Sequence, residues 1–184
     1  MKDALKDKKV AILVTDGFEE SEFTQPLAAL QHAGADVYVV SLKEGPVRSW
    51  SKGHWSREYD VDATVYGVKS GDYVALVLPG GVMNPDKLRI DMDAVRFVDG
   101  FFEENKPIAA ICHAPWTLIE TGRLKGRTLT SYPSLKTDLV NAGARWVDEE
   151  VVTDGTLVTS RNPNDLPVFC KRLVEVIAAA EREK

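Results

Sequence analysis

The sequence predicts a doubly wound α/β fold, a mainly parallel sheet sandwiched by helices, on three observations. Short, wholly apolar runs recur ("VAILV", "YVALVL", "PIAAI"), and such runs suit strands covered on both faces. The segments between them show helical spacing. A complete strand–helix–strand unit also fits within the first 42 residues, the signature of a parallel sheet.

Taken in chain order, Lys9 to Val14 form the first strand, closed by Asp16-Gly17. "SEFTQPLAALQHAG" reads as a helix, with Phe23, Leu27 and Leu30 at helical spacing and Gly34 as its stop. "DVYVVSL" is the second strand. The polar, turn-rich stretch from Lys43 to Tyr73 reads as short strands or a hairpin. "YVALVLPGG" is a buried strand, "VMNPDKLRID" a loop, "MDAVRFVDGFFEEN" an amphipathic helix and "KPIAAIC" a further buried strand. "APWTLIETG" makes a short helix ended by Gly122, and "RTLTSY" a strand. "PSLKTDLVNAG" reads as a helix with Pro133 near its first turn. "EEVVTDGTLVTSR" is a hairpin turning at Asp154-Gly155, and "NDLPVFCKRLVEVIAAAEREK" a closing helix. With no repeat, low-complexity tract or linker, residues 1–184 read as one domain.

Composition narrows the function classes. The net charge is −5 and no Lys/Arg cluster stands out, which argues against a phosphate-tracking nucleic-acid surface. No apolar run reaches the roughly 18 residues of a membrane span, and the opening residues do not resemble a secretory signal. Two distant cysteines make no disulfide framework, so a reducing cytoplasm is the expected compartment. HExxH, CxxC, P-loop, GxGxxG and GxSxG patterns are absent; no metal or nucleotide cofactor is expected, and Cys112 is left as the good nucleophile.

In open α/β sheets ligands bind at the carboxyl ends of the strands. Three segments should meet there: "TDGFEESE", "PGGVMNPD" and "CHAPW". Cys112 sits where a strand ends and a helix begins, a corner that pushes its side chain into the cleft like a nucleophile elbow. The helix N-terminus is expected to lower the thiol pKa below its free value of about 8.5. His113 can act as general acid or base, or simply hydrogen-bond the turn. Of Glu19, Glu20 and Glu22, one can reach across the sheet edge to Cys112, while Glu19 and Glu20 also suit a solvated helix start. The amides of Gly80-Gly81 can form an oxyanion hole, and the same pair suits a tight turn needing positive φ. Cys170 has core spacing with Leu166, Leu173 and Ile177, and His32 and His54 have no partners at ligand spacing.

"AICHAPW", "LVLPGG", "PDKLR", "DGFEESE", "TSYPS" and "NAGARWVDEEVV" together resemble the PfpI family of intracellular proteases. That family belongs to the superfamily of the parkinsonism-associated deglycase, which also holds class I glutamine amidotransferase domains. The resemblance runs from about Lys9 to the C-terminus. It implies a flavodoxin-like sandwich with Cys112 as nucleophile on its elbow, Glu22 touching the sulfur, Glu19 lining the same pocket and His113 as acid/base. It implies oxyanion donors around Gly81 and His113. It also implies a homo-oligomer in which Asp86, on the loop after the paired glycines, enters a neighbour's site. The implied activities on small carbonyls are cofactor-independent glyoxalase and deglycase, with peptidase as the alternative and a redox-sensing or chaperone-like stress protein as the non-enzyme reading. An amidotransferase needs a His–Glu pair after the elbow, and no His follows His113.

Overall fold

The computed structural model describes residues 3–182; the last two residues of the predicted closing helix lie outside them. The chain runs β1 (Lys9–Leu13), α1 (Glu20–His32), β2 (Asp36–Ser41), β3 (Pro46–Ser51), β4 (His54–Asp60), β5 (Ala63–Thr64), β6 (Ala75–Leu78) and α2 (Met83–Leu88). It continues with α3 (Met92–Glu103), β7 (Ile108–Ile111), α4 (Pro115–Ile119), β8 (Thr128–Leu129) and α5 (Lys136–Asn141). It ends with β9 (Arg145–Trp146), β10 (Val152–Asp154), β11 (Leu157–Ser160) and α6 (Leu166–Ala180).

The sheet order is β10-β11-β7-β6-β1-β2-β5, parallel throughout except for β10. This is the doubly wound flavodoxin-like arrangement. Alternate residues of the central strands serve the two faces. Val10 and Ile12 of β1, with Ala109 and Ile111 of β7, pack under Phe23 and Leu30 of α1 and Phe169, Leu173 and Ile177 of α6. Ala11 and Leu13, with Leu76 and Leu78, pack under Phe97 and Phe101 of α3 and Leu118 of α4. Each large side chain so buried stabilises the sandwich by roughly 1.5–3 kcal/mol relative to exposure. The chain leaves β1 towards β2 on one side and returns to β6 on the other. The cleft at the carboxyl ends of β1, β6 and β7 is therefore the topological switch point where such sheets bind ligands. No helix among the described residues is long and apolar enough to cross a membrane.

Four local expectations need correction. The segment 82–91, expected as a loop, contains α2, so Asp86 stands on a helix. Pro85 is compatible with this helix because it occupies the first turn, where no N–H is needed. The strand expected over "RTLTSY" shrinks to β8, and its parallel partner β9 had no pattern to announce it. The β10–β11 turn is Gly155-Thr156, because Asp154 pairs with Leu157. Cys170, assigned to the core, is only half-buried and packs at the edge of it.

The polar middle region forms the β3–β4 hairpin, turned by Lys52 and Gly53, both at positive φ as a two-residue turn of the primed type needs. It docks by backbone onto the loop after β1: the Gly17 N–H donates to Arg48 C=O (2.8 Å) and the Trp50 N–H to Phe18 C=O (2.7 Å). Glu20 is not a merely solvated helix start. Its carboxylate accepts from the hydroxyls of Ser49 (3.2 Å), Ser56 (3.1 Å) and Tyr59 (2.9 Å), clamping the hairpin to α1. Glu20→Ala is expected to lower stability by about 1–3 kcal/mol and to speed amide exchange across residues 46–60 selectively. Uniform exchange behaviour in the variant would show that the clamp is unimportant.

Candidate active site

The three segments predicted to meet do meet. Cys112 directly follows β7 with φ 63, a left-handed backbone that is costly for a residue with a side chain, on the order of 1–3 kcal/mol. The elbow is held on both sides: the Cys112 N–H donates to Ser160 C=O (3.0 Å) and Cys112 C=O accepts from the Tyr132 N–H (2.9 Å). This turn brings two adjacent side chains together, which neither a strand nor a helix does. Cys112 Sγ lies 3.2 Å from His113 Nδ1, and His113 Nε2 lies 3.4 Å from Ser134 Oγ. The imidazole stacks on Tyr132 (4.7 Å) and meets Trp116 edge-on (5.2 Å). Burial lowers the His113 pKa, so the ring is neutral at pH 7 and can accept the thiol proton.

Glu22, rather than Glu19 or Glu20, is the carboxyl that faces the sulfur. It is fully buried in the first turn of α1, on the inward face with Phe23 and Pro26. Oε2 accepts from the Gly80 N–H (2.8 Å). Oε1 is buried without a hydrogen-bond partner, and the Cys112 thiol is close enough to act on the carboxyl electrostatically. Burial pushes Glu22 up to about 8, and the nearby charge of Glu19 adds to the rise. Half-buried Glu19 is itself shifted upwards, by burial first. At pH 7 Glu22 is therefore a neutral acid that can donate to sulfur.

The thiol departs from expectation. Burial pushes Cys112 above its ordinary value, and a charged Glu22 pushes it further; the N–H groups of His113 and Gly81 pull it back. The predicted lowering by a helix dipole does not arise, because Cys112 is 7% exposed and α4 is a single short turn that starts three residues later. Two buried acids in contact titrate as a pair, and only one negative charge fits between them.

The paired glycines have separate duties. Gly81 has φ 76, whereas Gly80 needs no positive φ. A Cβ at Gly80 would lie 2.5 Å from Glu22 Oε2 and 2.7 Å from Ile111 C=O, so only glycine lets the carboxyl reach this backbone. Asn84, on α2 and fully buried, staples the turn: Oδ1 accepts from the Thr15 N–H (2.8 Å), and Nδ2 donates to the C=O of Pro79 (2.9 Å) and of Gly80 (3.2 Å).

A cavity of about 490 Å³ opens over the sulfur, lined among others by Glu19, Glu22, Gly81, Cys112 and His113. Asp86 is exposed on α2 and lies outside this lining. Ser134, Tyr132, Asn84 and Trp50 belong to the site or its support and were missed. Cys170 lines a separate cavity of about 320 Å³ between α1 and α6, its thiol pushed up to about 11 by burial.

The DJ-1/PfpI family profile matches residues 8–176. The chain belongs to the DJ-1/PfpI family. It is 43% identical over 163 residues to general stress protein 18 of Bacillus subtilis, covering 88% of this chain and 93% of that one. It is 40% identical over 173 residues to protein/nucleic acid deglycase 2 of Escherichia coli, covering 94% and 99%. A solved two-domain protein from Anabaena variabilis, with DJ-1/ThiJ/PfpI-like and ferritin-like domains, superposes with a TM-score of 0.86 at 38% identity over 92% of this chain; this chain spans about half of it (48%).

The raised Glu22 pKa has a thermodynamic consequence. The unfolded chain releases this proton near 4.5 and the folded chain keeps it to about 8, so stability is greatest below the first value and falls as pH rises through the window. The loss reaches at most about 5 kcal/mol, at 1.36 kcal/mol per unit. Glu22→Gln, which cannot ionise, is expected to lose less stability than the parent between pH 5 and pH 8.5, as read by urea unfolding. Parallel losses would show that Glu22 is ionised in the folded protein.

Proposed function

We propose that this chain is a cysteine-dependent enzyme acting on small reactive carbonyls, converting an α-oxoaldehyde to a 2-hydroxy acid. The observation behind the reading is a buried thiol in contact with a neutral carboxylic acid, an imidazole and two backbone N–H groups. The deglycase name of a relative that shares nearly the whole chain supports an enzyme of the deglycase type.

The thiol gives its proton to His113 Nδ1, 3.2 Å away. The amides of Gly81 and His113 stabilise the thiolate as it forms, and a neutral Glu22 puts no opposing charge beside it. Sulfur adds to the aldehyde carbon, and the oxygen takes up a proton, giving a hemithioacetal. A base removes the C–H proton from that carbon, and a proton is returned to the neighbouring carbon through an enediol. The former aldehyde carbon is oxidised by two electrons and the ketone carbon reduced by the same pair, leaving a thioester. Water cleaves the C–S bond and restores the thiol. The net reaction is R–CO–CHO + H₂O → R–CHOH–COOH, with no external oxidant or reductant.

Purified protein is expected to form lactate from methylglyoxal. Cys112→Ser should reduce this by at least about 100-fold, while Cys170→Ser retains it. Activity should fall as pH rises through about 8, where Glu22 becomes charged and opposes the thiolate. Lactate formation that survives Cys112→Ser would overturn the reading.

The proposal includes a homo-oligomer whose second copy brings Asp86 to His113. Exposed Val82 (54%), Ile90 (81%) and Met92 (64%) flank Asp86 and suit a covered face. Mixing inactive Cys112→Ala with inactive Asp86→Ala protein should restore activity. Mixtures that stay inactive despite demonstrated subunit exchange would remove Asp86 from the site.

A further inference from the structure

We infer that Trp50 makes this cavity selective for an α-oxoaldehyde bearing an uncharged aromatic substituent, a refinement that rests on the aldehyde chemistry proposed above. Trp50 lines the cavity although it comes from the β3–β4 hairpin, well away in sequence from the loops that carry the reacting groups. Its backbone is fixed: the N–H donates to Phe18 C=O (2.7 Å), and the residue forms an isolated bridge with Glu19. Its ring is braced edge-on by Trp55 at 5.4 Å and 83°, and Arg48 lies over the Trp55 ring. The hairpin in turn is clamped by Glu20. The indole is thus ordered before any ligand arrives, which lowers the entropic cost of binding against it.

A second aromatic, Tyr132, lines the same cavity. Tyr132 is tied to the Cys112 carbonyl and stacked on His113. Trp50 is tied to the loop after β1 and Tyr132 to the end of β7, with β6 between them in the sheet. Both rings line the cavity, so an aromatic substituent bound there has two aromatic side chains to contact. The cavity, about 490 Å³, falls in the range of roughly 300–1,000 Å³ typical of pockets for much larger ligands than a three-carbon aldehyde. Its titratable lining groups are Glu19, Glu22, Cys112, His113 and Tyr132, and no Lys or Arg is among them. A phosphate or carboxylate on the substrate would find no countercharge and would face Glu19. An uncharged aryl group would find rings to contact, and aromatic contacts of this kind favour binding by roughly two- to tenfold beyond simple burial.

The test compares phenylglyoxal with methylglyoxal, following mandelate and lactate rather than aldehyde loss, because phenylglyoxal also consumes arginine side chains. Wild type should have the higher kcat/KM on phenylglyoxal, by about tenfold, with the difference in KM. Trp50→Ala should remove most of that preference, and Trp50→Phe should retain it. Three results overturn the inference: equal kcat/KM on both aldehydes in wild type, a Trp50→Ala variant that keeps the preference, or one that loses activity on both substrates equally. If wild type forms neither product above the Cys112→Ser level, the aldehyde reading itself fails and takes this inference with it. Turnover of both substrates without a preference leaves that reading standing and removes only the role of Trp50.

Discussion

A carboxyl and a thiol share one dry site, and only one negative charge fits there. Much of the surrounding structure follows from that constraint. Glu22 has to approach the backbone of the turn after β6 closely enough to accept from the Gly80 N–H, and a Cβ at position 80 would fill the space its Oε2 occupies. The turn has to hold its place, and Asn84 ties its two carbonyls to the end of β1. Cys112 has to leave its strand at a sharp angle, and the sheet absorbs the cost of its left-handed backbone through hydrogen bonds to Ser160 and Tyr132. Each is a local departure from regular structure, and all concentrate at one sheet edge.

The neutral state of Glu22 changes how the nucleophile works. A standing thiolate would need a strong positive field, and neither a long helix nor a cation supplies one here. A neutral acid, a neutral imidazole and two amides instead surround a thiol that ionises as it reacts. Such preorganised donors cost little reorganisation at the moment of reaction. The β3–β4 hairpin adds a wall of the site and is held by Glu20, so the three glutamates after β1 divide their work: Glu20 grips the hairpin, Glu22 tunes the sulfur and Glu19 lines the cavity.

The sheet was legible because buried parallel strands have a plain signature: β1, β6 and β7 are uninterrupted apolar runs. The elbow was legible because a cysteine stood at the junction of such a run with a helix. Choosing Glu22 among three acids was not possible from composition; the register of α1 decides it, by turning Glu22 inward with Phe23. The resemblance to the family had pointed to the same residue. α2 is only six residues long, too short for a helical period to stand out, and its Pro85 sits in the first turn, where a proline is harmless. Ser134, Asn84 and Trp50 were hard to place because each is tied to the site by a partner distant in the chain: His113, Thr15 and Phe18. The thiol shifts upward rather than downward because burial and a neighbouring acid outweigh the end of a one-turn helix.

The central claim is that Glu22 is protonated beside Cys112 at neutral pH. Infrared difference spectroscopy of the wild type against Glu22→Gln tests it directly. The account predicts a carboxylic-acid C=O band at pH 7, absent from the variant, that disappears with a midpoint near 8. A carboxylate signal for Glu22 already present at pH 6 would contradict it.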